Sequence, residues 1–176
     1  MNDIKFDFEL KDTKTADEVV RDYSKKIAEW TQGKVLCEVT PYDGATESYK
    51  KRSSWTVAAG ALAEIDKDIT VDIQQDLGEQ SELNNQFEVY LTVKGLEYYK
   101  YRIMFIRYGA IAYPVNIVMN EDIAKAYGGK TQYKYVVESM NDLEQMVEQI
   151  FTTEYCRKLI QSLIYEAMRQ EQKNDN

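Results

Sequence analysis

Histidine is absent from the 176 residues. Its absence removes Ser-His and Cys-His nucleophile pairs, every His-ligated zinc site and the usual general base at neutral pH. Cysteine is scarce as well. Cys37 and Cys156 are too far apart in sequence to make a metal-type pair, and each reads as a buried free thiol in a chain whose first residues, Met1–Phe8, carry no export-signal pattern. Two prolines and eight glycines leave no Pro- or Gly/Ser-rich linker. The chain is therefore expected to form one domain over residues 1–170, with a frayed polar tail over 171–176. No uncharged apolar run approaches membrane-spanning length, so no membrane segment is expected and the expected location is cytoplasmic.

Cofactor signatures are missing too. No GxxxxGK[ST], GxGxxG, GxSxG, HExxH or CxxC pattern occurs. Gly128-Gly129-Lys130-Thr131 matches only the end of a phosphate loop, lacks the earlier glycine and follows a helical pattern, so no cofactor is expected. Cations are in deficit, 22 Lys and Arg against 30 Asp and Glu, for a net charge of −8. That balance repels phosphate backbones and anionic membranes, which disfavours direct nucleic-acid binding, and it suits a basic protein partner. The acidic series Asp66, Asp68, Asp72 and Asp76 does not read as a metal site. On a strand, residues four apart lie roughly 13 Å from each other, too far to share one ion.

What is present is periodicity. Ile4, Phe6, Phe8 and Leu10 alternate with charged residues as in a half-buried strand. Thr15-Ala-Asp-Glu18 has the capping-box pattern and opens a helix to about Gln32, with Ala16, Val19, Val20, Tyr23, Ile27 and Trp30 on its buried stripe and Gly33 as its stop. Val35, Cys37 and Val39 form a strand ending at Pro41. Residues 49–66 fit either a strand interrupted near Gly60 or a helix, and the strand is preferred. Alternation resumes over 68–74, 87–93, 97–108 and 111–119, with connections too short for crossovers, which argues for an antiparallel meander. A short helix follows over 120–127, then a strand near 133–137. Ser139-Met-Asn-Asp142 caps a further helix, and the last runs from about Thr153 to Gln170. The expected fold is α+β: a mostly antiparallel sheet of six or seven strands against an N-terminal helix and two C-terminal helices.

The tyrosine- and cation-rich stretch Tyr98–Tyr108 is placed by matching apolar faces between neighbouring strands. Pairing Phe87 with Phe105, Val89 with Ile103 and Leu91 with Tyr101 on one side, and Phe105 with Tyr113 on the other, makes Tyr99 and Tyr101 core residues. The opposite face then carries Asp72, Glu88, Tyr90, Lys100, Arg102 and Asn116 as a polar recognition patch, with an apolar end at Met104, Ile106 and Pro114. Pairing of Ile73 with Phe87 sets Asp72 across from Glu88, a repulsion that Arg102 would relieve.

These features point to a non-catalytic, acidic protein-binding module of the inhibitor, immunity or adaptor type, binding a protein partner or a second copy of itself. Two alternatives remain open. One is a small-ligand binder with a pocket between the sheet and the 153–170 helix. The other is an enzyme working through carboxylates such as Asp72 and Glu88.

Overall fold

The computed structural model of the chain describes residues 11–44, 85–128 and 132–174. In order these form helix α1 (Ala16–Trp30), strands β1 (Val35–Pro41), β2 (Asn85–Val93), β3 (Leu96–Tyr108) and β4 (Val115–Met119), helix α2 (Glu121–Gly128), strand β5 (Lys134–Val137), and helices α3 (Met140–Thr152) and α4 (Glu154–Asn174). The strands build one antiparallel sheet in the order β1-β2-β3-β4-β5, so strands that follow one another among the described residues are neighbours. The fold is thus α+β with five strands among the described residues. The strands expected over 4–10, 49–66 and 68–74 lie outside them.

Local chemistry sets the element ends. At the start of α1 the Glu18 carboxylate accepts the Thr15 backbone N–H at 2.9 Å, which satisfies a donor that the helix leaves orphaned. At its end the buried Thr31 hydroxyl donates towards Ile27 O and Val35 O, both at 2.9 Å, and accepts Val35 N–H at 3.2 Å. One side chain therefore ties the last helical turn to the first residue of β1. Ser139 caps α3 by accepting Asp142 N–H at 3.2 Å. The two-residue turn from β2 to β3 needs φ +87° at Gly95, and a Cβ there would lie 3.4 Å from Gln170 on α4.

A single core cluster joins the helices to one side of the sheet. Val19, Val20 and Ile27 of α1 meet Val35, Cys37 and Val39 of β1, Val89, Leu91 and Val93 of β2, and Met104 and Ile106 of β3. Leu143, Val147 and Ile150 of α3 and Cys156, Leu163 and Ala167 of α4 complete it. Leu91, Ile103, Ile106, Ile117, Leu143 and Ile150 are among its fully buried side chains. Each contributes roughly 1.5–3 kcal/mol by leaving water. Trp30, expected on the buried stripe of α1, is instead 70% exposed. It has the right helical angle but is the last residue of the helix, where the chain turns away through Gln32 (φ 53°) and Gly33 (φ 71°).

The strand register departs from expectation at three places. Near the turn the pairing shifts between Leu91 and Val93, so that Val93 faces Leu96, and Tyr99, expected in the core, is 36% exposed. Leu91 faces Tyr101 and Tyr90 faces Arg102, but Val89 then faces Met104, leaving Ile103 as an extra residue in β3. This β-bulge reverses the side-chain alternation beyond it. Phe87 consequently meets Ile106 rather than Phe105. Between β3 and β4 the pairing is offset by five residues, with Phe105 across from Val118 and Ile106 from Ile117. Residues 109–114 serve as connection, so Tyr113 is not a strand partner of Phe105, although its side chain is buried in the core cluster.

Candidate functional site

On the sheet face turned away from the core cluster, Glu88 of β2 is 5% exposed. Its neighbours across the ladder are Thr40 of β1 and Phe105 of β3. An isolated carboxylate at that depth would cost several kcal/mol, and two cations relieve it. Lys100 Nζ donates to Oε1 at 2.7 Å, while Arg102 Nη2 and Nε donate to Oε2 at 2.9 and 3.2 Å. Thr40 Oγ1 adds a long contact of 3.4 Å to Oε1. Burial alone would push the Glu88 carboxyl up, but the hydrogen bonds and charges of Lys100 and Arg102 outweigh it and hold the group below its ordinary value of 4.5.

The cations are held from a second side by aromatic rings. Lys100 Nζ lies 4.2 Å from the centroid of Tyr90, and the Arg102 guanidinium lies 4.7 Å from Phe105 and 5.6 Å from Tyr42. Tyr42 and Phe105 pack against each other with centroids 4.7 Å apart. Both cationic side chains still keep nearly half of their surface in solvent, 46% for Lys100 and 45% for Arg102. The cluster is a buried carboxylate under two oriented, water-accessible cations.

The structure thus brings together Glu88, Tyr90, Lys100 and Arg102. Asn116 is not with them: it is exposed, across from Arg107 and Val136. Asp72 lies outside the described residues, and the ladder neighbour of Glu88 on the β1 side is Thr40. The expected apolar end does not form on this face. The bulge at Ile103 turns Met104 and Ile106 into the core, fully buried, and Pro114 is exposed in the connection before β4. Phe105, expected in the core, faces outward and becomes the ring beneath Arg102. Tyr42 and Thr40 were missed as members of the cluster. Pairing the alternating Val35–Val39 run with Val89–Val93 is the sequence signal that would have brought Thr40 beside Glu88.

Other polar groups are committed to structure. Tyr108 donates to Asp17 Oδ1 at 2.6 Å, tying the end of β3 to the first turn of α1, and Phe87 stacks on Tyr108 at 6.2 Å. Burial together with that bond pushes the Tyr108 phenol up to about 12. Burial opposes the ionisation of Asp17, yet hydrogen bonds from Tyr108, Thr15 and Arg21 lower it. Tyr101 and Tyr155 share a hydrogen bond of 2.7 Å beneath α4, and burial raises Tyr101 further. Burial also raises both thiols, Cys37 to about 12. Every resolved shift among the described residues moves its group away from neutrality: carboxyls down, and tyrosines, thiols and ammonium groups up.

An open cleft of ≈ 280 Å³ lies between β5 and α3 and is lined partly by Tyr127, Val137, Glu138, Asp142 and Met146. Among the described residues no three His, Cys, Asp or Glu side chains gather as a metal ion would require. No described helix is long and apolar enough to cross a membrane. Compared with protein-family models, with curated proteins and with solved structures, the chain matches none of them.

Proposed function

We propose that this chain is a non-catalytic protein-binding module whose contact surface is the outer sheet face around Lys100 and Arg102. One observation supports the non-catalytic part: both oxygens of Glu88 are engaged by Lys100 and Arg102, and among the described residues carboxyls are held down and tyrosines and thiols pushed up, whereas an acid–base or nucleophilic site needs a group brought towards pH 7. Glu88, the carboxylate that one alternative would assign to catalysis, is held ionised with its oxygens engaged by two cations. It is a poor proton donor in that state.

The binding part rests on preorganisation. Arg and Tyr dominate the energetics of many protein contacts, and ordering a long side chain at an interface costs about 0.5–1.5 kcal/mol. Lys100 and Arg102 are already oriented by Glu88 and by their rings, so that cost is reduced before a partner arrives. A partner meets two fixed donors and aromatic edges, and it answers them with carboxylate or backbone carbonyl acceptors at the contact point. The net charge of −8 still favours a partner that is basic elsewhere.

The test compares the unaltered protein with Lys100→Met in affinity capture from the native host, read by quantitative mass spectrometry. Arg102 continues to neutralise Glu88 in that variant, so the fold is preserved. A partner retained by the unaltered chain and depleted at least tenfold by Lys100→Met at a similar melting temperature supports the surface. Equal capture by both removes it.

A further inference from the structure

We infer that the solvent side of Arg102, with Lys100 beside it, seats the carboxylate of a partner's aspartate or glutamate side chain. This inference rests on the contact surface proposed above and adds what that surface recognises. The charges of the cluster do not balance. Glu88 is the one carboxylate among the described residues that pairs with Lys100 or Arg102, so two cations answer a single anion. One positive charge is left over, at a fixed place, on a chain whose net charge is −8. An excess charge of that kind attracts an anion that a balanced pair would not.

The donors that Glu88 does not engage have the geometry for this ligand. A guanidinium presents its N–H groups as a rigid planar fork. Glu88 Oε2 takes the Nε donor at 3.2 Å and one Nη2 donor at 2.9 Å, which leaves the Nη1–Nη2 edge, a pair of parallel donors that suits a carboxylate held through both oxygens. Lys100 spends one ammonium donor on Oε1 at 2.7 Å and keeps others. Because both cations meet one small carboxylate, their charged ends lie within reach of a second. The rings keep the fork from turning away: the Arg102 guanidinium lies 4.7 Å from Phe105 and 5.6 Å from Tyr42, and Lys100 Nζ lies 4.2 Å from Tyr90. Nearly half of each cationic side chain stays in solvent, so a ligand arrives without opening the cluster. An amide or backbone carbonyl offers one uncharged oxygen and cannot satisfy both donors of that edge. A chain-terminal carboxylate is caught by backbone N–H groups, whereas the donors here all belong to side chains, which favours Asp and Glu.

The probes are glycine pentapeptides with a central glutamate or a central glutamine, capped at both ends, and the glutamine peptide with a free C-terminal carboxylate. They are titrated into the full chain at low ionic strength and followed by NMR at the Arg102 Nε–H. The glutamate peptide is expected to bind at least fivefold tighter than either glutamine peptide and to lose most of its affinity in about 0.5 M salt. Arg102→Lys keeps the charge on Glu88 but removes the second edge, and it should weaken the glutamate peptide at least fivefold. Lys100→Met, which leaves Arg102 on Glu88, should weaken it as well, and it decides the matter if Arg102→Lys does not fold. The inference is overturned by no glutamate binding, by equal affinity for glutamate and glutamine, by tighter binding of the free C-terminus, or by full affinity in both variants. Any of these results alongside a captured partner that Lys100→Met still depletes leaves the contact surface standing and removes only the carboxylate.

Discussion

The two faces of the β2–β3 hairpin reach similar depths of burial by opposite chemistry. Towards the helices Val89, Leu91, Met104 and Ile106 lose their water to other hydrocarbon. On the other side Glu88, Tyr90 and Phe105 are also below 10% exposed, yet that burial rests on a carboxylate neutralised by two cations and three aromatic rings. The apolar face is stabilised in many small independent increments. The polar face works as a unit, because removing one sign of charge strands the other in a poorly solvated place. Stability is therefore graded on one face and conditional on the other. The conditional face is also the one that shows its cations to solvent.

Variants on either face break this comparison by different amounts. The largest loss is expected for Leu91→Ala, between about 2 and 5 kcal/mol in chemical denaturation, since a fully buried leucine leaves a cavity that the surrounding strands fill only in part. Replacing Lys100 and Arg102 together by methionine should cost about 2 kcal/mol. That is less than removing one partner of a fully buried pair, because water reaches nearly half of each cation's side chain. A loss much larger for the single Lys100→Met than for the difference between single and double variants would show that Arg102 alone cannot neutralise Glu88.

The same cluster sets an acid dependence. The folded-state value of Glu88 lies below its unfolded value of 4.5, so its stabilisation is complete above that pH and disappears as pH falls through the folded value. Asp17 acts with the same sign below 3.8. Thermal unfolding between pH 6 and 3 should show this decline, and Glu88→Gln should flatten part of it. A curve unchanged in slope would mean that the cations contribute nothing to the ionised state.

Smaller effects sharpen the contrast. Tyr108→Phe deletes the bond to Asp17 while keeping the stacked ring, for an expected loss of about 1 kcal/mol in denaturant titration. At the bottom of the range, Lys158→Gln breaks a 2.6 Å ion pair with Glu154 whose two side chains are both largely solvated, and the melting temperature should not move measurably. A shift there as large as that at Lys100 and Arg102 would remove the distinction between solvated and buried charge on which the comparison rests.

Much of the fold was legible along the chain. The Thr15–Glu18 cap, the stop at Gly33, the alternating runs and the order of helices around a meander all follow from interactions within a few residues, and those are carried by neighbouring side chains. The contact of Glu88 with Arg102 was legible as well, because matching apolar faces placed Leu91 across from Tyr101 and Tyr90 across from Arg102; that of Lys100 was not, since it was set beside Thr92. Met104 and Ile106 were misplaced for the complementary reason. Ile103 through Ile106 is apolar at every position, so its pattern is equally content on either face, and one inserted residue reverses the assignment. Trp30 was misplaced because periodicity gives an angle around a helix and not what stands opposite its last turn.

By itself, then, the sequence determined the class of elements, their order, the acidity of the chain and the absence of imidazole chemistry, since composition and short-range pattern suffice for these. Tertiary structure alone decided which face Phe105 occupies, that Tyr42 joins the cation cluster, and that a cleft opens between β5 and α3. Each of those depends on where a bulge or a chain end falls relative to a distant strand. The energies that choose that position are summed over the whole core, and no local run of residues encodes them.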